Sequence, residues 1–329
     1  MEEAFLGLPL FVNGTSFSPC DFILAKSLYS VVTPVIVCLT LCSNVIYVVV
    51  INYTADDRSA STVQQTGIAI SNTLLGLLQL PVIIYFFNGS HDASVSIHWC
   101  YLYRFIGYVL PNMFHTASVW QVVLYGIQRF MSYRWPFNAL AWYKIDRFLK
   151  YTIIIYIFAI VIHISRLFDF TYSSGSGFQY RPGIRVETYI YVYQWLCNIS
   201  IHVIPCIVLT LCVFLLVYAI RLSYLRRKRV FVNSQTAVPR NRKFTMQESQ
   251  SLAILLLVLS VEWPMTVIVL QQTTNRNASS DCTHTPAIIA HFALLVSYPL
   301  YFPICLILNY ELRNTLVQIY SDLKAFFRR

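Results

Sequence analysis

The sequence predicts an all-α protein, a seven-transmembrane helix bundle followed by a C-terminal amphipathic helix on the membrane surface. Three observations predict it. Hydrophobic residues make up 57% of the 329 positions and charged residues only 12%, and the mean hydropathy is +0.58. A water-soluble fold this poor in charge lacks the polar groups to cover its surface. Seven apolar stretches recur along the chain, each of roughly 20 residues or more, as a hydrocarbon layer of about 30 Å demands. Basic residues gather in alternate linkers, the bias that orients multi-span proteins.

Residues 1–26 form a polar N-terminal arm, expected outside the cell, with a glycosylation sequon at Asn13. Its acidic start has no basic segment ahead of a short apolar core, so the first long span is expected to act as the insertion signal. The bundle occupies 27–309, with spans near 27–53, 65–87, 101–132, 147–168, 189–220, 247–271 and 285–309. With the amino end outside, the inner linkers hold Arg58, Arg134, Lys144, Arg147 and Lys150, the run Arg226-Arg227-Lys228-Arg229, and Arg240, Arg242 and Lys243. The sequons at Asn88 and Asn277 then fall outside with Asn13. Residues 310–329 are expected to form a cytoplasmic amphipathic helix: Leu312, Leu316, Ile319, Tyr320, Leu323, Phe326 and Phe327 recur at helical spacing among Arg313, Lys324, Arg328 and Arg329.

The net charge of +10 follows this topology and gives no reason to expect nucleic acid. The nine cysteines show no metal or redox spacing, so neither a metal nor any other cofactor is expected. Cys38, Cys42, Cys197, Cys206, Cys212 and Cys305 lie within apolar spans and are expected to behave as small hydrophobes.

Polar residues within the spans are the candidates for mechanism, because lipid tolerates them poorly. Arg129 ends the third span; it either snorkels or carries a signal. In Val261-Glu262-Trp263-Pro264 a carboxyl sits beside a helix-kinking proline. Glu262 either hydrogen-bonds a neighbouring helix or floors a ligand pocket. Glu248, at matching depth, is a candidate latch for Arg129. Towards the outer ends lie Arg104, Asn112, His115, Arg166, Asp169, His291 and Tyr298 among many tyrosines. Tyr and Trp are enriched at membrane interfaces as anchors, the role expected for about half of this cluster; the rest are candidates to line a pocket for a short peptide. Arg166 and Asp169, three apart, share one helical face.

Several runs carry a resemblance. His115-Thr116, Ser118, Trp120 and Gln128-Arg129-Phe130 resemble the third helix of the sex peptide/myoinhibitory-peptide (FMRFamide-related) receptors of invertebrates, which are rhodopsin-like G protein-coupled receptors. Ser165-Arg166-Leu167-Phe168-Asp169, His202-Val203-Ile204-Pro205-Cys206, Glu262 two before Pro264, and Ser297-Tyr298-Pro299 with Arg313 and Thr315 are similar to the same family in the same order. Gly67-Ile68-Ala69-Ile70 extends the likeness to the second span.

The resemblance implies an extracellular ligand, an amidated neuropeptide, and a cytoplasmic heterotrimeric G protein reached through Arg129. Gln128, Trp263, Pro264 and Tyr301 would share in activation. It also exposes departures. Asn72 replaces the second-span aspartate that helps hold sodium in most rhodopsin-like receptors. Gln128 replaces the acid before the key arginine, and Tyr301 and Cys305 occupy the asparagine and tyrosine places of the seventh-span motif. Residues 169–188 hold no cysteine for the usual disulfide; a Cys20–Cys282 bridge is one substitute, although spacing alone does not assign connectivity.

Other classes fit less well. A retinal protein needs a seventh-span lysine, and 285–309 has none. A transporter or intramembrane enzyme should show paired membrane acids or metal-ligand clusters, whereas Glu262 stands as a lone acid among scattered histidines. The remaining alternative is a chemosensory or non-signalling seven-helix receptor for a small molecule. The expected location is the plasma membrane.

Overall fold

The computed structural model describes residues 19–53, 60–85, 101–135, 144–168, 170–173, 177–180, 186–233, 242–274 and 285–327. Within them the chain runs as long helices. Helix α1 starts at Pro19–Ser27 and continues through a π turn, Leu28–Val32, into Thr33–Tyr53. Helix α2 is Ala60–Ile83, and α3 enters through a π turn, Tyr103–Val109, into Leu110–Arg134. Helix α4 is Ile145–Ile164, ending in a tight turn at Ser165–Leu167. Helix α5 joins Val186–Cys197, a π turn at Asn198–Val203 and Ile204–Asn233. Helices α6, α7 and α8 are Arg242–Thr274, Thr285–Leu308 and Tyr310–Phe326. Between α4 and α5 lies a departure from helix that the sequence reading does not contain. Strands β1 (Phe170–Ser173) and β2 (Gly177–Tyr180) pair antiparallel, Phe170 opposite Tyr180.

Neighbouring helices α1 and α2, α5 and α6, α6 and α7, and α7 and α1 pack side by side, while α3 touches α2, α4, α5 and α6. That central place explains its composition. Among the described residues six helices are long and apolar enough to cross a membrane, and α3 is not among them. Its 25 residues suffice in length, at about 1.5 Å each, but Asn112, His115, Thr116, Ser118, Gln121 and Gln128 are all buried. The third of the seven spans expected from the sequence is therefore a helix of full length, less apolar than the others and largely covered by its neighbours. Large apolar side chains point outward on α1, α4 and α5, among them Val35, Leu39, Ile153, Ile157, Val161 and Phe214.

One large apolar core fills the half of the bundle nearer Arg129. It joins Tyr47, Ile68, Val122, Tyr125, Leu209, Ile254, Tyr301 and Leu312, drawn from α1, α2, α3, α5, α6, α7 and α8. At Gly126 α3 packs tightly on α5 and α6, where an added Cβ would lie 3.2 Å from Leu255 Cδ2 and 3.3 Å from Cys212 Cβ. Of the span cysteines, Cys197, Cys206, Cys212 and Cys305 are buried, Cys38 and Cys42 exposed, and all six are free thiols.

Helix α8 leaves α7 at Asn309, whose side chain accepts hydrogen bonds from the backbone N–H of Glu311 and Leu312 at 3.0 and 3.4 Å, an N-cap. The Asn309 amide also donates to Gln250 Oε1 on α6 at 3.0 Å. Leu312 packs into the core, whereas Tyr320, Leu323, Phe326 and Phe327 remain exposed along α8.

Candidate functional site: a polar seam along the central helix

Hydrogen bonds from α3 to its neighbours follow the helix from one end to the other. At the end carrying Arg166, the Arg104 Nε donates to the Arg166 carbonyl at 3.1 Å. The Arg166 guanidinium, 1% exposed, lies over the Tyr193 ring at 4.4 Å and near Tyr108 at 5.8 Å. Such stacking stabilises a desolvated cation by about 2 kcal/mol or more. Below it, Thr116 Oγ1 meets His163 Nε2 at 2.9 Å, and His163 Nδ1 meets the Tyr193 hydroxyl at 3.0 Å. This chain ties α3, α4 and α5 together. Asn112 turns back along its own helix, its amide donating to the Tyr108 carbonyl at 2.8 Å.

The centre of the seam is Glu262, 1% exposed. Its two carboxylate oxygens lie 3.6 Å from His115 Nε2 and 3.3 Å from His202 Nδ1. His115 Nδ1 in turn faces the Tyr298 hydroxyl at 3.3 Å. The π turn in α5 makes this possible. It brings Asn198, Ile201 and His202 to the buried side just before Pro205, and extra-residue turns of this kind often mark functional positions. Asn198 donates to Thr273 Oγ1 at 2.6 Å, a second tie from α5 to α6.

An internal cavity of ≈ 30 Å³ lies beside this group, lined among others by Asn72, His115, Ser118, Glu262, Ser297 and Tyr301. Ser118 donates to Asn72 Oδ1 across it at 2.6 Å. With an amide at position 72, no charge at that position draws a cation in.

At the opposite end Arg129 faces the bundle. Its guanidinium donates to Ser61 Oγ on α2 at 2.8 Å and lies over the Tyr125 ring at 5.1 Å. Tyr125 itself receives a bond from Gln65 at 3.2 Å and meets Ser251 at 3.0 Å. Gln128 is buried beside it. Tyr301 is buried edge-on against Tyr47, with ring centroids 5.5 Å apart, and Cys305 Sγ lies 3.7 Å from the Tyr47 hydroxyl.

The predicted site residues therefore separate into groups. His115, Glu262 and Tyr298 come together, Arg104 and Arg166 meet one level away, and His291 pairs instead with Tyr29 of α1 at 2.8 Å. Trp263 and Pro264 follow Glu262 on α6, but Trp263 is 40% exposed and donates to Thr210 on α5 at 3.0 Å. Glu248 lies on α6 with its side chain outside the described residues, as are Asp169, Asn13, Asn88, Asn277, Cys282 and the Cys20 side chain. Sequence reasoning missed His163 and left His202 out of the site. The rule that singled out Glu262, a polar group within an apolar run, applies equally to both.

No family model matches the chain. Two curated proteins are similar to it. The sex peptide receptor of Drosophila melanogaster is 24% identical over 330 aligned residues, covering 94% of this chain and 75% of that protein. The sex peptide receptor-related protein 2 of Caenorhabditis elegans is 24% identical over 221, covering 60% of this chain and 49% of that protein. The helical bundle, the part-buried arginine at the end of its central helix and this likeness along nearly the whole sequence agree: the chain is a multi-pass membrane protein similar to the sex peptide receptors.

Proposed function

We propose that this receptor binds a short amidated neuropeptide at the Arg166 end of the bundle, outside the cell, and activates a heterotrimeric G protein at the Arg129 end. The observation that carries this reading is the continuous polar seam on α3, from Arg104 to Arg129. A ligand shifts such an equilibrium only through its different affinity for the two states. Contacts to Arg104, Arg166 and Asp169, with Asn112, His115, Glu262, His291 and Tyr298 beneath, would bias α3, α5 and α6 against one another. Pro264 and Trp263 on α6 then let the inner half of that helix swing, and Arg129, Gln128 and Tyr301 respond at the far end. Glu248 remains the proposed second partner of Arg129. Asn13, Asn88 and Asn277 would carry glycans outside, and a Cys20–Cys282 bridge would tie the N-terminal arm (1–26) to the last outer loop. The bundle (27–309) and α8, within 310–329, would meet lipid, with α8 on the cytoplasmic face of the plasma membrane.

The test is expression in cells carrying a promiscuous G protein, with a screen of amidated peptides and an N-terminal epitope read on intact cells. A response that Arg166→Ala or Glu262→Gln abolishes is the expected result. An epitope reached only after permeabilisation overturns the orientation. Silence at full surface expression overturns the peptide reading. It favours the chemosensory or non-signalling alternative, which Gln128, Asn72 and Tyr301 at altered motif positions already support.

A further inference from the structure

We propose that His115, His202 and Glu262 form a binding site for a divalent transition-metal ion of the zinc type, clamping α3, α5 and α6 to one another. The three donor atoms all lie within 4.8 Å of one another and all three residues are buried. The separations to the carboxylate are 3.6 and 3.3 Å. Charge-assisted hydrogen bonds are shorter, about 2.7–2.9 Å. Zinc bonds of about 2.0–2.2 Å at tetrahedral angles place neighbouring ligand atoms roughly 3.3–3.5 Å apart. Both separations lie close to that ligand spacing, each histidine facing its own carboxylate oxygen, and the 3.3 Å His202–Glu262 pair is also within hydrogen-bond reach.

The donor chemistry points the same way. Two imidazoles and one carboxylate are a set that holds zinc with a fourth position open, whereas calcium and magnesium favour oxygen donors. The Tyr298 hydroxyl at 3.3 Å from His115 Nδ1 supplies the outer partner that fixes which nitrogen faces the ion. The cavity beside His115 and Glu262, ≈ 30 Å³, has room for a water as the fourth ligand. A divalent charge also offsets that of a carboxylate removed from water. An ion that fits one arrangement of three helices stabilises that arrangement. The site stands on these side chains whether or not a peptide binds above them, so its test uses neither peptide nor G protein.

The test uses the purified full chain in lipid nanodiscs, with zinc and cobalt as probes. Wild-type protein is expected to retain one zinc per chain after dialysis, to lose it to a chelator, and to give tetrahedral ligand-field bands with cobalt. Glu262→Gln and His202→Ala are expected to weaken binding at least about 100-fold. His202→Cys keeps a ligand and should add a sulfur-to-cobalt charge-transfer band. Retention of zinc undiminished in Glu262→Gln overturns the assignment, as does folded wild-type protein that binds none. If Glu262→Gln fails to fold, the wild-type cobalt spectrum decides: tetrahedral bands support the site, and the spectrum of the hydrated ion overturns it.

Discussion

Ser61 Oγ accepts a hydrogen bond from the Arg129 guanidinium at 2.8 Å, so the end of the central helix is held by the start of α2. A hydrogen bond to a charged group contributes about 1.5–3 kcal/mol. On the proposed coupling, Ser61→Ala should therefore shift the chain towards its active form and raise ligand-free G-protein activation on the order of tenfold. Unchanged basal activity at equal surface expression would mean that this bond exists in both states.

Tyr193→Phe removes a hydroxyl and little else. It leaves His163 Nδ1 buried without the partner it has at 3.0 Å, at a cost of about 1–3 kcal/mol. The thermal midpoint of purified receptor should fall, and Thr116→Val, cutting the same chain at its other end, should not add its full effect. Strict additivity in the double variant would show the two bonds to be independent.

At Gly126 α3 lies against both α5 and α6, with Leu255 and Cys212 at 3.2 and 3.3 Å from any added Cβ. Overpacking of this kind costs about 1–3 kcal/mol. Gly126→Val should lower both the thermal midpoint and the yield at the cell surface, and Cys212→Gly should partly restore them. A Gly126→Val protein as stable as wild type would mean the three helices separate freely.

Asn309→Ala deletes the cap of α8 and its bond to Gln250. Loss of such a cap costs about 1 kcal/mol. Amide hydrogens of 311–316 should exchange several-fold faster while those of α7 hold their rates, as mass spectrometry would record. Equal protection in both proteins would mean that core packing by Leu312 alone orders the helix.

The bundle was legible because lipid imposes a simple rule: long apolar runs face hydrocarbon, and α1, α2, α4, α5, α6 and α7 obey it. Glu262 was legible for the converse reason, as an acid where none belongs. Its partners were not. His202 comes from a helix 60 residues away, and imidazole is polar enough to matter yet mild enough to pass as an ordinary member of a span. The π turns that open α1 and α3 and interrupt α5 left no mark in composition, although the last of them turns His202 inward. Depth matching proposed Glu248 for Arg129 and overlooked Ser61, since a serine near a helix start attracts no notice.

The polarity of α3 has a bearing on biosynthesis. A segment carrying Asn112, His115, Gln121 and Gln128 partitions poorly from the translocon as a solitary helix. It should leave that channel only in company, with α2 before it or α4 behind it supplying shelter. Truncated nascent chains that end after α3 are then expected to stay at the channel, and chains that include α4 to be released into the bilayer.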